Sequence, residues 1–126
     1  MPASLTERGL PAALEDLRDH LTIPIALQVT GLDRRMRPDV ETAAYFVVSE
    51  AVVNAVKHAG PATVAVSLER TDDRLHLEVA DDGSGGVQAG GGMRGMADRV
   101  HALGGKLAVH STTDGTRVRA VIPCGW

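Results

Sequence analysis

The sequence predicts an α+β domain of two layers, with about three helices on a mixed, largely antiparallel five-stranded sheet. Three observations predict it. Two pairs of alternating apolar and polar runs, 63–69 with 74–80 and 106–111 with 116–122, are each joined by a short polar turn. That is the signal of antiparallel hairpins. Apolar residues recur at helical spacing in 11–21, 40–59 and 93–103, as helices with one buried face require. The chain has 126 residues and is 44% apolar, which fits one globular domain with a true core.

The elements follow in order. Leu14, Leu17 and Leu21 mark a first helix over Pro11–Leu21. TIPIALQV, 22–29, reads as a strand with Pro24 near its start. Asp39 is placed to cap a long helix, 40–59, which Gly60-Pro61 ends. The hairpin 63–80 turns at Thr71-Asp72-Asp73. A glycine-dense loop, 83–92, leads to a helix over about Met93–Leu103 that Gly104-Gly105 ends. Two strands close the chain, turning at Asp114-Gly115. The order is αβαββ-loop-αββ, and helices packed on one face of the sheet is the natural arrangement.

Composition excludes several roles. Tyr45, Phe46 and Trp126 are the whole aromatic set, so stacking platforms for single-stranded nucleic acid are missing. A net charge of −3 argues against nucleic acid or an anionic membrane as a partner. The lone Cys124 allows no internal disulfide and no cysteine-based metal site, and it fits a reducing compartment. No apolar run has the length of a membrane span, and the first residues lack a signal-peptide core. The expectation is a cytoplasmic domain, or the cytoplasmic piece of something longer.

Within SEAVVNAVKH, 49–58, Glu50, Asn54 and Lys57 interrupt an apolar helix at spacings of four and three. At 100° per residue they fall within about 60° of one another, with His58 slightly to one side. A surface Glu–Lys pair beside an incidental Asn would explain the spacing alone. The neighbours, however, are nearly all Ala and Val. Polar groups set in an apolar face cost about 1–3 kcal/mol each when unpartnered, and a ligand in a cleft would supply the partners. Carboxylate and amide oxygens suit a hard cation such as Mg²⁺, and a lysine suits a phosphate.

The second feature is VADDGSGG, 79–86. By the two-residue period Leu75, Leu77, Val79 and Asp81 share one strand face. Asp81 therefore ends a row of buried positions and needs donors; the exocyclic amine and ring nitrogen edge of adenine is one such group. Gly83 and Gly85 permit close backbone approach. GGGMRGM, 90–96, opens a helix whose N–H groups can hold an anion. A plain flexible loop with incidental acids would also fit this stretch taken alone. Neither a Walker A loop nor a dinucleotide fingerprint occurs.

Taken in order, Glu50-x-x-x-Asn54-x-x-Lys57-His58, Asp81-x-Gly83-x-Gly85, Gly92-Met93-Arg94-Gly95-Met96 and Gly115-Thr116 resemble the Bergerat-fold ATPases. Within them the chain is most similar to the catalytic, ATP-binding domain of bacterial sensor histidine kinases, in the branch paired with nitrate-sensor-type helix-turn-helix response regulators. EAVVNAVKHA, GMRGMADRVHALGGKLAVHS and DGTRVRAVIP carry that likeness, which covers residues 9 to about 123.

The resemblance implies roles. Asn54 would coordinate Mg²⁺, with Glu50 assisting the metal or orienting water. Glu50 and Lys57 would be the catalytic pair, and Lys57 and His58 would meet the phosphates. Asp81 would accept from the adenine amine, with Thr116 nearby. Gly83 and Gly85 would shape the pocket and hinge a short lid, 86–91. Gly92, Met93, Arg94, Gly95 and Met96 would close that lid and open the phosphate-facing helix. Residues 1–8 would be a tail or the remnant of a preceding dimerisation helix, and 9–126 the catalytic domain. The cofactors implied are ATP and Mg²⁺. The partners implied are a dimerisation and phosphoacceptor domain and, indirectly, a response regulator.

A free-standing anti-sigma-factor-type serine kinase of the same fold, or a nucleotide-binding module without catalysis, are the alternatives. His20, His76, His101 and His110 share no metal-ligand spacing, and RDHLT around His20 does not match a phosphoacceptor context.

Overall fold

The computed structural model describes residues 3–58, 63–83 and 91–125. Its elements are α1 (Ala3–Arg8), α2 (Leu10–Asp19), β1 (Ile25–Thr30), α3 (Pro38–His58), β2 (Val64–Thr71), β3 (Arg74–Asp81), α4 (Gly91–Ala102), β4 (Lys106–Thr112) and β5 (Gly115–Pro123). The strands form one sheet in the order β1-β2-β3-β5-β4. β1 runs parallel to β2 and every other pairing is antiparallel. The fold is the expected α+β, with four helices among the described residues rather than three.

Alternation in the strands decides where the helices lie. Val64, Val66 and Leu68 of β2, Leu75, Leu77 and Val79 of β3, and Val118, Ala120 and Ile122 of β5 are all buried. The residues between them, such as Ala65, Ser67, Glu69, His76, Arg117 and Arg119, face solvent. One sheet face is therefore the core floor and the other is a polar outer surface.

Onto the apolar floor α3 lays Val40, Ala43, Ala44, Val47, Val48, Ala51, Val52 and Ala55. These residues advance by three and four, so they form one stripe. The small side chains let the helix approach the sheet closely. α4 adds Met96 and Val100, and α2 adds Leu10, Ala13 and Leu14. Each fully buried Leu or Met contributes roughly 1.5–3 kcal/mol.

Several boundaries differ from the sequence reading, each for a local reason. The segment 3–8, expected as a tail or the remnant of a preceding helix, is helical and seats Leu5 in the core at 3% exposure. α1 is kept separate from α2 by Gly9, whose φ is +93°. β1 starts at Ile25 rather than Thr22, because Pro24 has no N–H to give; its carbonyl instead accepts from Val64 N–H at 3.2 Å. α3 begins at Pro38, which leads with an already helical φ. Asp39 is thus inside the first turn rather than at the cap, and its carboxylate accepts from Val40 N–H at 2.9 Å. The turn at 71–73 shortens to Asp72-Asp73, with Asp72 at φ +54°, a conformation Asp tolerates. The expected helix stop at Gly60-Pro61 lies outside the described residues.

The loop before α3 is anchored by a buried acid. Glu41 is 3% exposed. It accepts from Arg35 Nη2 at 2.8 Å, from Arg35 Nε at 3.1 Å and from Met36 N–H at 3.3 Å. The same Arg35 Nη2 reaches the carbonyls of Leu5 and Thr6, both at 3.3 Å. One guanidinium therefore ties α1 to the start of α3, and the hydrogen bonds it donates to Glu41 hold its proton affinity up.

Candidate functional site

α3 runs unbroken through 49–58, so the helical spacing of Glu50, Asn54 and Lys57 is realised on one side of it. Glu50 and Asn54 are half-buried and Lys57 is exposed. The stripe thus descends from solvent toward the sheet.

At its inner end lies a tight recess of about 10 Å³, lined by Ala51, Asn54, Ala55, Val79, Asp81, Thr116 and Val118. Three elements meet there: α3 supplies the amide, β3 the carboxylate and β5 the hydroxyl. The recess is far smaller than the ~300–1,000 Å³ of whole small-molecule sites and has room for no more than about one water; what it offers a ligand is apolar walls with a polar end. Ala51 and Ala55 leave the space open, because a larger side chain on that turn of α3 would fill it.

The polar end is built with care for its donors and acceptors. Asp81 does end the row Leu75, Leu77, Val79, and its side chain is half-buried. Its Oδ1 accepts from Gly83 N–H at 2.9 Å, so one carboxylate oxygen is held by the backbone. Opposite it in the ladder stands Thr116, 5% exposed. Thr116 Oγ1 lies 2.9 Å from Ser111 Oγ. Gly115, just before it, has φ +145°, and a Cβ there would sit 2.0 Å from the Asp81 carbonyl oxygen. Only glycine lets β5 come this close to the end of β3.

Gly83 is buried beneath Asp81. Arg94 is exposed near the start of α4, and Gly95 faces Phe46, whose ring would be 3.5 Å from a Cβ at that position. Met96 departs from its expected place among the nucleotide contacts: at 0% exposure its side chain is spent in the core, where it seats α4. Gly92 lies in the first turn of α4, which starts two residues earlier than expected. Gly85 and 86–90 of the lid lie outside the described residues, as do the side chains of His58 and Met93.

Sequence reasoning missed two contributors. Phe46 anchors α4, with the Arg99 guanidinium 4.1 Å from its ring centroid; its rarity as an aromatic was the available signal. Ser111 had a weaker signal, its mirror position to Thr116 across the Asp114-Gly115 turn.

A shallow groove on the outer sheet face is lined by Ser67, Glu69, His76, Glu78 and Arg119. There Glu78 is paired with Arg117 at 2.9 Å and Arg119 at 3.3 Å.

The family model for histidine kinase-, DNA gyrase B- and HSP90-like ATPases matches residues 39–125. The chain belongs to this family. The matched span holds α3, all three lining strand and helix elements of the recess, and the Gly115-Thr116 turn. An ATP-binding domain of this ATPase family is therefore what the chain contains.

Among relatives, it is 32% identical to the sensor histidine kinase MctS of Rhizobium johnstonii, over 97% of this chain and 29% of that protein. It is 34% identical to the signal transduction histidine-protein kinase/phosphatase UhpB of Salmonella typhimurium, over 97% of this chain and 26% of that one. The chain thus spans under a third of the length of the curated relatives it matches. Among solved structures, the histidine kinase domain of the blue-light-activated histidine kinase of Erythrobacter litoralis superposes with a TM-score of 0.66 at 26% identity. That match covers 89% of this chain and 60% of that one. The ATP-binding domain of PrrB from Mycobacterium tuberculosis shares the fold, with a TM-score of 0.65 at 22% identity over 93% and 91% of the two chains. Among the described residues no helix is long and apolar enough to cross a membrane.

Proposed function

We propose that this chain is the ATP-binding catalytic domain of a two-component sensor histidine kinase, acting in the cytoplasm. It positions Mg-ATP so that the γ-phosphoryl group passes to a histidine on a separate dimerisation domain, and from there to a response regulator. The observation that carries the reading is the recess itself. It gathers Asn54, Asp81 and Thr116 from three elements around a small apolar recess.

In this reading the adenine enters between Ala51, Ala55, Val79 and Val118. Asp81 accepts from its amine while Gly83 N–H holds the other carboxylate oxygen. The phosphates run outward along α3 toward Lys57, His58 and the start of α4 near Gly92, Arg94 and Gly95. Met93 would lie beside them, and Gly85 would hinge the lid.

Glu50 and Asn54 offer hard oxygen donors on one helix face, a set that suits Mg²⁺. Mg²⁺ is held by one or two carboxylate-type ligands plus phosphate oxygens rather than by a protein cage. That fits the described residues, among which no group of three or more His, Cys, Asp and Glu could hold a metal alone. When bound, the ion would neutralise charge on the β- and γ-phosphate oxygens. The protein's own part is positioning: Asp81 fixes the base, Asn54 the middle of the nucleotide, and Lys57 its charged end. Glu50 would orient the incoming group.

Calorimetric titration of the folded domain with ATP, with and without Mg²⁺ and beside GTP, tests this. Saturable, Mg²⁺-sensitive binding of ATP and not GTP is the expected result. Absence of binding by either nucleotide would refute it. Phosphate transfer from ATP to serine of a protein partner, with none to histidine, would favour the free-standing serine kinase instead.

A further inference from the structure

The two polar groups at the end of the recess are each secured from outside it. Asp81 is held by Gly83 N–H. Thr116 is held by Ser111, at 2.9 Å between hydroxyl oxygens. The ladder explains why. Asp81 pairs with Thr116 across β3 and β5, and Thr116 pairs with Ser111 across β5 and β4. Side chains directly opposite one another share a sheet face, so Asp81, Thr116 and Ser111 form one row. The first two line the recess. Ser111 stands one strand further out, on the exposed edge strand β4.

From this we infer that Ser111 is a positioning residue for base recognition, acting through Thr116. A threonine hydroxyl has one proton and two acceptor sites. One of these capacities is committed to Ser111. The rest are left to point at the edge of a base beside the group that Asp81 takes. Without Ser111 the hydroxyl would lose its fixed partner and could turn toward the backbone or the Asp81 carboxylate. The inference deepens the nucleotide reading and rests on it.

The test compares wild type, Ser111→Ala, Ser111→Thr, Thr116→Val, the double variant Ser111→Ala with Thr116→Val, and Asp81→Asn. Each is titrated with ATP in a calorimeter, and circular dichroism melts report the fold. Thr116→Ala replaces Thr116→Val if valine at that buried position does not fold. Loss of one such hydrogen bond should weaken ATP binding about fivefold in Ser111→Ala. Ser111→Thr, which keeps the hydroxyl, should bind like wild type. In the Thr116→Val background Ser111→Ala should cost nothing further, because the group it acts through is gone.

Equal losses in both backgrounds would overturn the inference, since Ser111 would then act through the strand and not through Thr116. So would failure of Ser111→Thr to restore binding, or full binding by Ser111→Ala. If Ser111→Ala is harmless while folded Asp81→Asn no longer binds, the inference fails and the nucleotide reading stands. If folded Asp81→Asn binds like wild type, both fail together.

Discussion

Gly115→Ala is the perturbation whose size can be read most directly from the structure. A Cβ at 115 would lie 2.0 Å from the Asp81 carbonyl oxygen, against the 3.4 Å at which ordinary contact begins. The ends of β3 and β5 must therefore part by the difference, about 1.4 Å. The obstacle is backbone on both sides, so no side chain can swing away. Neighbouring strands sit only ~4.8 Å apart, and a gap of that size breaks the ladder hydrogen bonds at 81 and 116. The φ of +145° adds strain of about 1–3 kcal/mol, and a lost ladder bond adds about 1 kcal/mol. The sum, about 2–4 kcal/mol, lowers Tm by roughly 10 °C or more in a domain of this size.

Gly104→Ala is the matched control. Gly104 also has positive φ, +79°, but a Cβ there would meet only Pro123 Cγ, at 3.9 Å, among the described residues. It isolates the strain from the clash. Thermal melts should place Gly115→Ala well below Gly104→Ala. Calorimetry at a temperature where both are folded should show ATP affinity down about tenfold in Gly115→Ala, since parting Asp81 from Thr116 leaves a buried polar group without its partner. Equal Tm values for the two variants, with ATP binding intact in both, would refute the close approach on which the recess is built.

Other outcomes follow from single contacts. Asn54→Ala should weaken ATP binding more in the presence of Mg²⁺ than in its absence; equal losses in the two titrations would remove the amide from metal binding. Arg35→Met should lower Tm more than Arg37→Met. The first strands the buried Glu41 carboxylate, while the second breaks an exposed pair with Asp39. Replacing Glu41 by Leu in the Arg35→Met background should recover part of the loss, because an apolar pair tolerates burial better than a lone charge. Burial pushes the Cys124 thiol above its ordinary range, so iodoacetamide should alkylate the native protein slowly and the unfolded protein fast. The sign follows for stability too. The neutral thiol's contribution is whole below the ordinary thiol pKa and is lost as pH rises through the raised value, which an alkaline series of melts would detect.

Most of this was legible where one period dominated. The alternation in 64–71, 74–81 and 115–123 survives as burial patterns, because these strands have one dry face and one wet one. The spacing of Glu50, Asn54 and Lys57 needed only an unbroken helix to become a stripe. The misses have local causes. Six residues carry too few turns to show a helical period, so α1 could not be read, although Leu5 is its whole buried content. Asp39 looked like a cap because capping chemistry and first-turn acids use the same residues, and Pro38 took the earlier place. Met96 sat inside a motif and a helical period at once, and the core claimed its side chain. Ser111 depends on strand register, which a sequence does not print.

Four of the five strands form two local hairpins, 64–81 and 106–123, and the seam between them is the pairing of β3 with β5. Asp81 lies on one side of that seam and Thr116 on the other. Neither hairpin alone owns a base pocket. The recess comes into being only when two pieces, far apart along the chain and each able to zip by itself, are docked edge to edge. A nucleotide seated there would act as a rivet across the joint, stabilising a long-range pairing that neither hairpin makes by itself.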